Sequence, residues 1–177
     1  MTSAPARLEW TRQPGTGPPP AILGNLTGKT VIELGCGTGH NLAALAARHH
    51  ANATGIDCDP AKVARARQLY GHIPGLRIIH ADAAAYLATL PPESADACLS
   101  IFGAISFSPP RPILAAAARA LRPGGLLAIT IRADDHHDTV LILTRRPNPP
   151  AKHQARNDDK LIRHPAISPW ARRHAGS

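Results

Sequence analysis

The sequence predicts an α/β fold: a doubly wound, mostly parallel sheet with helices on both faces and an incomplete C-terminal antiparallel strand pair. Three observations predict it. Residues 31–34 are an apolar run broken by one acid, followed by glycines at 35, 37 and 39 and then by Leu42, Leu45 and Ala46 at helical spacing. Four more strand-like runs alternate with helical patterns as far as Ile131, the order that builds parallel sheets with crossover helices. Asp57, Asp82 and Ile101-Phe102 fall at the ends of predicted strands, the edge at which such sheets bind ligands.

Taken in order, residues 1–24 run into Gln13-Pro14-Gly15-Thr16-Gly17-Pro18-Pro19-Pro20, a composition that no regular element accommodates. This segment reads as a loose arm, although Trp10 is an unusual residue to leave in water. The folded domain is expected over residues 25–144, entered through the turn Asn25-Leu26-Thr27-Gly28-Lys29. A first strand at 30–34 leads through the glycines into a helix at 39–49. A second strand, 53–56, ends at Asp57. Asp59 is then a natural N-cap with Pro60 in the first helical position, Val63, Ala66, Leu69 and Tyr70 form an apolar face, and Gly71 ends the helix.

A third strand follows at 76–80, then a short helix from Ala83 to about Leu90, stopped by Pro91-Pro92. The fourth strand, 96–101, is nearly all apolar, as a central parallel strand should be. Residues 102–108 read as a loop, 112–121 as an alanine-rich helix closed by Arg122-Pro123-Gly124-Gly125, and 126–131 as the fifth strand. Residues 139–144 form one more strand pattern. The seven residues 132–138 are too few for a crossover, so a hairpin with the fifth strand is expected. From 145 to 177 Pro, Arg, Asn and His dominate, and a basic, disordered tail is expected.

Composition narrows the function classes. No apolar run approaches the roughly 20 residues of a membrane helix, and residues 1–10 lack the pattern of a secretion signal. A cytoplasmic protein with no membrane partner is therefore expected. Cys36, Cys58 and Cys98 show no C-x-x-C spacing and read as buried free thiols. The histidine pairs His49-His50 and His136-His137 are adjacent, so their side chains diverge, and no metal site is expected. The net charge of +8 is concentrated late: residues 1–131 carry eleven Lys/Arg against seven acids, residues 145–177 eight against two. Such a tail, with clusters at Arg145-Arg146 and Arg172-Arg173, can bind phosphates without sequence preference. Nucleic acid is thus a secondary reading of the partner.

The glycine spacing selects among nucleotide-binding turns. A dinucleotide motif G-x-G-x-x-G needs glycine at 35, 37 and 40, and residue 40 is His. What stands here is E-x-G-x-G-x-G, within Glu33-Leu34-Gly35-Cys36-Gly37-Thr38-Gly39, followed in order by Gly55-Ile56-Asp57, His80-Ala81-Asp82-Ala83 and Ala120-Leu121-Arg122-Pro123-Gly124-Gly125. Over residues 26–131 the chain resembles the class I S-adenosylmethionine-dependent methyltransferases, small-molecule type. The resemblance implies S-adenosylmethionine as cofactor. Gly35, Cys36, Gly37 and Gly39 would then pass near its methionine end, with Glu33 directed toward its amine through water. Asp57, twenty-two residues after Gly35, also stands near the ~20-residue offset of a ribose-binding acid. Asp82, or the backbone N–H beside it at Ala83, would contact adenine, Ser100 and Ile101 would border the sulfonium and adenine, and Cys58 and Ile101 would supply apolar walls.

The resemblance also offers a second reading of residues 1–24, as a lid in which Leu8, Trp10 and Arg12 cover the cofactor. It implies a further helix and an antiparallel strand pair after the fifth strand, of which the sequence shows only 139–144. The implied reaction is an in-line methyl transfer, in which alignment and water exclusion carry most of the catalysis. His40, His80 and His136-His137 read as solvated or packing residues, and no catalytic base is assigned. No Asn/Asp-Pro-Pro-Tyr follows the fourth strand, where Ser100-Ile101-Phe102-Gly103 stands instead, which argues against the amino-methylating nucleic-acid enzymes. The apolar loop from Phe102 to Phe107 favours a small, partly apolar acceptor such as a secondary metabolite. Two alternatives stand beside this: a non-catalytic S-adenosylmethionine-binding protein, and a nucleic-acid-associated methyltransferase using the basic tail. The acceptor atom and the oligomeric state are left open.

Overall fold

The structure, a computed structural model, describes residues 3–133, 137–147 and 161–163. Among the described residues one sheet runs in the order β3-β2-β1-β4-β5-β6-β7. Its strands are β1 (Thr30–Leu34), β2 (Asn52–Asp57), β3 (Leu76–His80), β4 (Ala95–Ile101), β5 (Leu121–Arg132), β6 (Asp138–Arg145) and β7 (Leu161–Arg163). The first five are parallel. The strand order therefore reverses beside β1, and the switch point lies between the carboxyl ends of β1 and β4. β6 pairs antiparallel with β5 from Leu126↔Thr144 to Arg132↔Asp138, the hairpin that the short connection predicts.

Among the described residues five α-helices accompany the strands, α1 (His40–His49), α2 (Pro60–Tyr70), α3 (Ala83–Thr89), α4 (Ala104–Phe107) and α5 (Pro110–Ala120), with a 3-10 turn at Pro20–Leu23 before β1. The alternation of side chains along β1 and β4 builds two cores. Val31, Ala97, Leu99 and Ile101 join Leu42, Leu45, Val63 and Tyr70 on the α1/α2 face. Ile32, Leu34 and Cys98 join Leu87, Ile113 and Ala117 on the α3/α5 face. Asp59 caps α2 by accepting the Ala61 and Lys62 N–H groups, as its position predicts. α3 ends against α5, whose Arg119 guanidinium donates to the carbonyls of Ala88 and Leu90 at 2.9 and 2.6 Å.

Several local expectations need correction. The α5 helix ends at Ala120, and β5 starts at Leu121, which pairs with Ala95 before the 122–125 stretch bulges out and pairing resumes at Ala97↔Leu126. The 102–108 stretch holds the short α4 helix and is not a plain loop. The thiols of Cys36 and Cys98 are buried, but Cys58 is exposed, because it lies one residue past the end of β2 where no helix covers it.

The N-terminal segment is not a loose arm along its described length. Leu8, Trp10, Leu23 and Leu26 are buried in the α1/α2-face core, with Trp10 only 1% exposed. The segment folds back on itself: a Cβ at Gly17 would lie 2.6 Å from the Trp10 Cβ, and the Glu9 carboxylate accepts the Gly15 N–H at 2.7 Å.

The expected tail begins later than residue 145. Arg145 closes β6 and is buried, donating to the Leu121 carbonyl and pairing with Glu93 Oε1 at 2.9 Å. A guanidinium so engaged is not a phosphate-binding group, and Arg146 beside it is exposed. β7 adds three residues of antiparallel pairing to β6. Positions 148–160 and 164–177 of the expected tail, Arg172-Arg173 among them, lie outside the described residues. Among the described residues no helix is long and apolar enough to cross a membrane, and no group of three His, Cys, Asp or Glu could hold a metal ion.

Candidate active site

The turn after β1 is built from three left-handed glycines, Gly35 (φ +78°), Gly37 (φ +54°) and Gly39 (φ +80°). Each has a different neighbourhood. A Cβ at Gly35 would stand 2.4 Å from the Ala104 nitrogen, and one at Gly103 would stand 2.0 Å from the Leu34 carbonyl oxygen. The β1 turn and the β4–α4 connection therefore touch backbone to backbone across the switch point. At Gly37 no atom lies within 4 Å of where a Cβ would sit. The chain is bare there and faces open space.

The neighbouring strand holds this turn in shape. Gly35 and Cys36 both donate their N–H to the Ile56 carbonyl, at 2.7 and 3.0 Å. Asp57, the last residue of β2, accepts the Gly37 N–H on Oδ2 at 2.7 Å and the Asp59 N–H on Oδ1 at 2.9 Å. Each oxygen keeps a further lone pair for a ligand donor. Asp57 and the 35–39 bend are thus in direct contact, and the turn is open at its middle glycine.

Glu33, on the same strand as the turn, is 3% exposed, and its Oε2 has no hydrogen-bond partner. Burial pushes its carboxyl up to about 8, the nearby Asp57 charge adds to that, and the Asn41 side chain and Leu42 N–H pull the other way. The Cys36 thiol is pushed well above its ordinary range, first by burial and then by the charges of Glu33 and Asp57. It stays protonated, which makes it a packing residue and not a nucleophile.

At the ends of β3 and β4 the expected residues fall on the same sheet edge with unequal freedom. Asp82 is exposed and caps α3 by accepting the Ala85 N–H at 2.8 Å, while Ala83 is buried in the first turn of that helix. Ile101 is buried among the α1/α2-face residues. Ser100 points to the opposite face, is fully buried, and accepts the Ile105 N–H at 3.2 Å. Its visible work is to fix the start of α4. Phe102 is left-handed at φ +48°, a strained conformation for a bulky residue, and its N–H donates to the Thr130 carbonyl at 3.0 Å. The apolar 102–107 stretch divides between the cores: Phe102 packs toward the α1/α2 side and Ile105 toward the α3/α5 side. Phe107 is left 84% exposed.

Two further anchors escape a reading of the sequence. The Asn41 side chain, two residues past Gly39, grips the backbone of Glu9, accepting its N–H at 2.9 Å and donating to its carbonyl at 3.0 Å. Arg12 forms a two-point contact with Asp138, backbone N–H to Oδ2 at 2.8 Å and Nε to Oδ1 at 2.7 Å. Asp138 lies opposite Arg132, the carboxyl end of β5. Residues 9–12 therefore pass from the turn after β1 to the far side of β5. No local pattern announces either contact, since the partners are 32 and 126 residues apart.

Residues 32–129 match the family model described as "Methyltransferase domain". The chain belongs to this methyltransferase family. Among curated relatives it is 36% identical over 107 residues to the phthiotriol/phenolphthiotriol dimycocerosates methyltransferase of Mycobacterium leprae, covering 59% of this chain and 38% of that protein. It is 33% identical over 110 residues to the O-methyltransferase cnsE of Penicillium expansum, covering 62% and 40%. A chain from the complex between the Haloferax volcanii Trm112 methyltransferase activator and a methyltransferase shares the fold with a TM-score of 0.54 and 28% identity, over 63% of this chain and 48% of that one. The methyltransferase chain spans about two fifths of the length of these curated relatives.

S-adenosylmethionine is the cofactor of the class I methyltransferases, and the residues present suit it. A carboxylate with spare lone pairs, Asp57, suits a ribose diol. The uncovered backbone at Gly37 admits a ligand where a side chain would stand in the way. The orphaned, buried Glu33 oxygen suits an ammonium group.

Proposed function

We propose that this chain transfers the methyl group of S-adenosylmethionine to a small, partly apolar acceptor. The observation that carries this reading is the placement of Asp57, Gly37 and Glu33 along one stretch of the sheet edge, each with hydrogen-bonding capacity or space to spare. When bound, the cofactor supplies a methyl carbon made electrophilic by its sulfonium. The chain's own residues hold and align. Asp57 accepts the ribose hydroxyls while bracing the turn, Glu33 accepts the ammonium, and Asp82 with the Ala83 backbone N–H borders the adenine. Gly35, Cys36 and Gly39 shape the turn; Cys58 and Ile101 flank the ligand, and Ser100 sets the direction of α4. The segment 8–17 acts as a lid that excludes water, which raises the value of a well-aligned attack.

Support for the acceptor class comes from two sides. Phe107 presents an apolar ring to solvent on α4, directly after the switch-point strand. The relatives from M. leprae and P. expansum are named a phthiotriol/phenolphthiotriol dimycocerosates methyltransferase and an O-methyltransferase. No general base is assigned. The His80 Nε2 is engaged with the Cys58 carbonyl at 3.0 Å, and His40 is exposed at the start of α1.

Two measurements test the proposal together. Titration calorimetry with S-adenosylhomocysteine is expected to give saturable one-site binding. Mass spectrometry with a methyl-labelled donor and a panel of hydroxylated and carboxylated metabolites is expected to find the label on a small molecule. Label only on protein or RNA would overturn the acceptor class. Binding without turnover of any acceptor would favour the non-catalytic reading, and no binding would overturn both.

A further inference from the structure

The peptide unit between Cys58 and Asp59 is held at both of its polar ends. Its carbonyl, that of Cys58, accepts from the His80 Nε2 at 3.0 Å, and its N–H, that of Asp59, donates to Asp57 Oδ1 at 2.9 Å. A carbonyl only accepts, so Nε2 is the ring nitrogen that carries the proton. The peptide is planar, and fixing the direction of its C=O fixes the direction of its N–H. The other Asp57 oxygen, Oδ2, accepts the Gly37 N–H at 2.7 Å. One line of hydrogen bonds thus runs from a ring at the end of β3, through a peptide plane and a carboxylate at the end of β2, to the glycine turn after β1. The fold does not need its first link. β2 and β3 are already in register from Ala53↔Leu76 to Asp57↔His80, and the Ala81 N–H ties their ends by donating to the Asp57 carbonyl at 3.1 Å. Helix α2 has its own cap in the Asp59 side chain.

We propose that His80 is a positioning residue for the cofactor: by holding the Cys58–Asp59 peptide plane, it sets the Asp57 carboxylate in the orientation that receives the ribose hydroxyls. The inference rests on the cofactor reading above for the ligand, and on hydrogen bonds within the protein for the link from His80 to Asp57. A carboxylate bonded through one oxygen alone can turn about its Cβ–Cγ bond. Bonded through both, it presents its remaining lone pairs in fixed directions, and less freedom is lost when a ligand arrives. Hydrogen bonds in series also polarise one another, so the ring N–H strengthens the Asp59 N–H as a donor to Asp57. His80 touches no ligand in this arrangement and transfers no proton. Its ring is exposed, which keeps its share smaller than that of Asp57 itself.

The test uses the full chain and S-adenosylhomocysteine, titrated by calorimetry into the wild type, His80→Ala, His80→Gln, Asp57→Ala and the double variant. His80→Ala is expected to lower affinity about five- to tenfold, the weight of one hydrogen bond. His80→Gln, whose amide nitrogen takes the place of Nε2, is expected to recover most of that loss. In the Asp57→Ala background, His80→Ala is expected to change nothing further, because the carboxylate it positions is gone. Equal losses in the two backgrounds, no loss in either, or no recovery in His80→Gln would overturn the proposal. A second readout needs no ligand: the amide resonance of Asp59 in isotope-labelled protein. It is expected to move upfield and to exchange faster with solvent in His80→Ala, and to keep its place in His80→Gln. An Asp59 resonance that stays put in His80→Ala would overturn the link between ring and carboxylate. Failure of the wild type to bind S-adenosylhomocysteine would instead remove the cofactor reading, with the Asp59 resonance still deciding whether His80 acts on Asp57.

Discussion

The Asp57 carboxylate accepts the Gly37 N–H at 2.7 Å, so the acid at the end of β2 and the middle glycine of the turn after β1 form one unit. An anionic acceptor bonded to a backbone N–H is a strong hydrogen bond, and a second oxygen held by Asp59 fixes the carboxylate plane. Asp57 therefore shapes the turn as well as offering lone pairs to a ligand. Removing it should cost both functions at once.

Asp57→Ala is expected to weaken S-adenosylhomocysteine binding by about a hundredfold or more, the loss of at least two charge-assisted hydrogen bonds. Asp57→Asn should lose less, because its carbonyl oxygen still serves one N–H. Calorimetry on variants whose circular dichroism matches the wild type checks the ranking, and equal affinity in Asp57→Ala would deny the residue any place in the site.

The glycines differ in what packing asks of them: Gly103 is hemmed in by backbone, whereas nothing stands near a Cβ built at Gly37. A Cβ at Gly103 would run into the Leu34 carbonyl, a backbone atom that cannot swing away, so Gly103→Ala should lower the unfolding midpoint strongly. Gly37→Ala meets open space and bears only the left-handed backbone cost of about 1–2 kcal/mol. It should stay folded and lose ligand affinity. Thermal melts paired with ligand titration separate the two outcomes, and a Gly37→Ala protein that binds normally would count against the turn as a binding surface.

Glu33 predicts an unusual pH dependence. Its folded-state value is raised from 4.5 to about 8, so between those limits the folded protein holds a proton that the unfolded chain has released. The folded state is then favoured at the acidic end, and stability falls as pH rises through the window, by at most about 1.4 kcal/mol per pH unit from this group. Glu33→Gln removes the titration. Urea unfolding at pH 5 and pH 8 should show the variant gaining on the wild type at the higher pH, and parallel losses in both proteins would refute the assignment.

Trp10 is a core residue despite its place near the start of the chain. Trp10→Ala is expected to cost about 3–5 kcal/mol, the range for emptying a large buried aromatic site. Chemical denaturation measures it directly. A loss under about 1 kcal/mol would mean that the segment contributes little to the folded state.

Most of the sheet is legible in the sequence because each parallel strand is written locally as a mainly apolar run, β1 ended by Gly35 and β2 by Asp57. The bracket of Asp57 on the turn is legible for the same reason: strand end and glycine spacing both fall on one edge. Ser100 shows the limit of such reasoning. Position places it at a strand end beside the expected ligand, but the alternation of β4 turns its side chain away from Ile101 and into a bond with Ile105. Arg145 is a second case, since composition assigns it to a basic tail while the Leu121 carbonyl at the start of β5 and the Glu93 carboxylate draw it inward. The N-terminal segment fails in the other direction. Its prolines and glycines rule out regular structure without ruling out order, and Trp10 is the single hint of burial. Asn41 and Asp138 carry no local mark, because their partners are chosen by the finished topology.

The two-point contact between Arg12 and Asp138 closes a loop of 126 positions and so sets an order of events during folding. The segment that carries Arg12 is synthesised before its mate, which belongs to a strand more than a hundred residues later in the sequence. Closing so long a loop is entropically expensive until the intervening parallel strands have aligned. The opening stretch must therefore wait, with Leu8 and Trp10 uncovered, while the rest of the sheet assembles beneath it. A nascent chain halted before β6 would keep this apolar stretch without its far anchor, and would be the form most prone to capture by a chaperone.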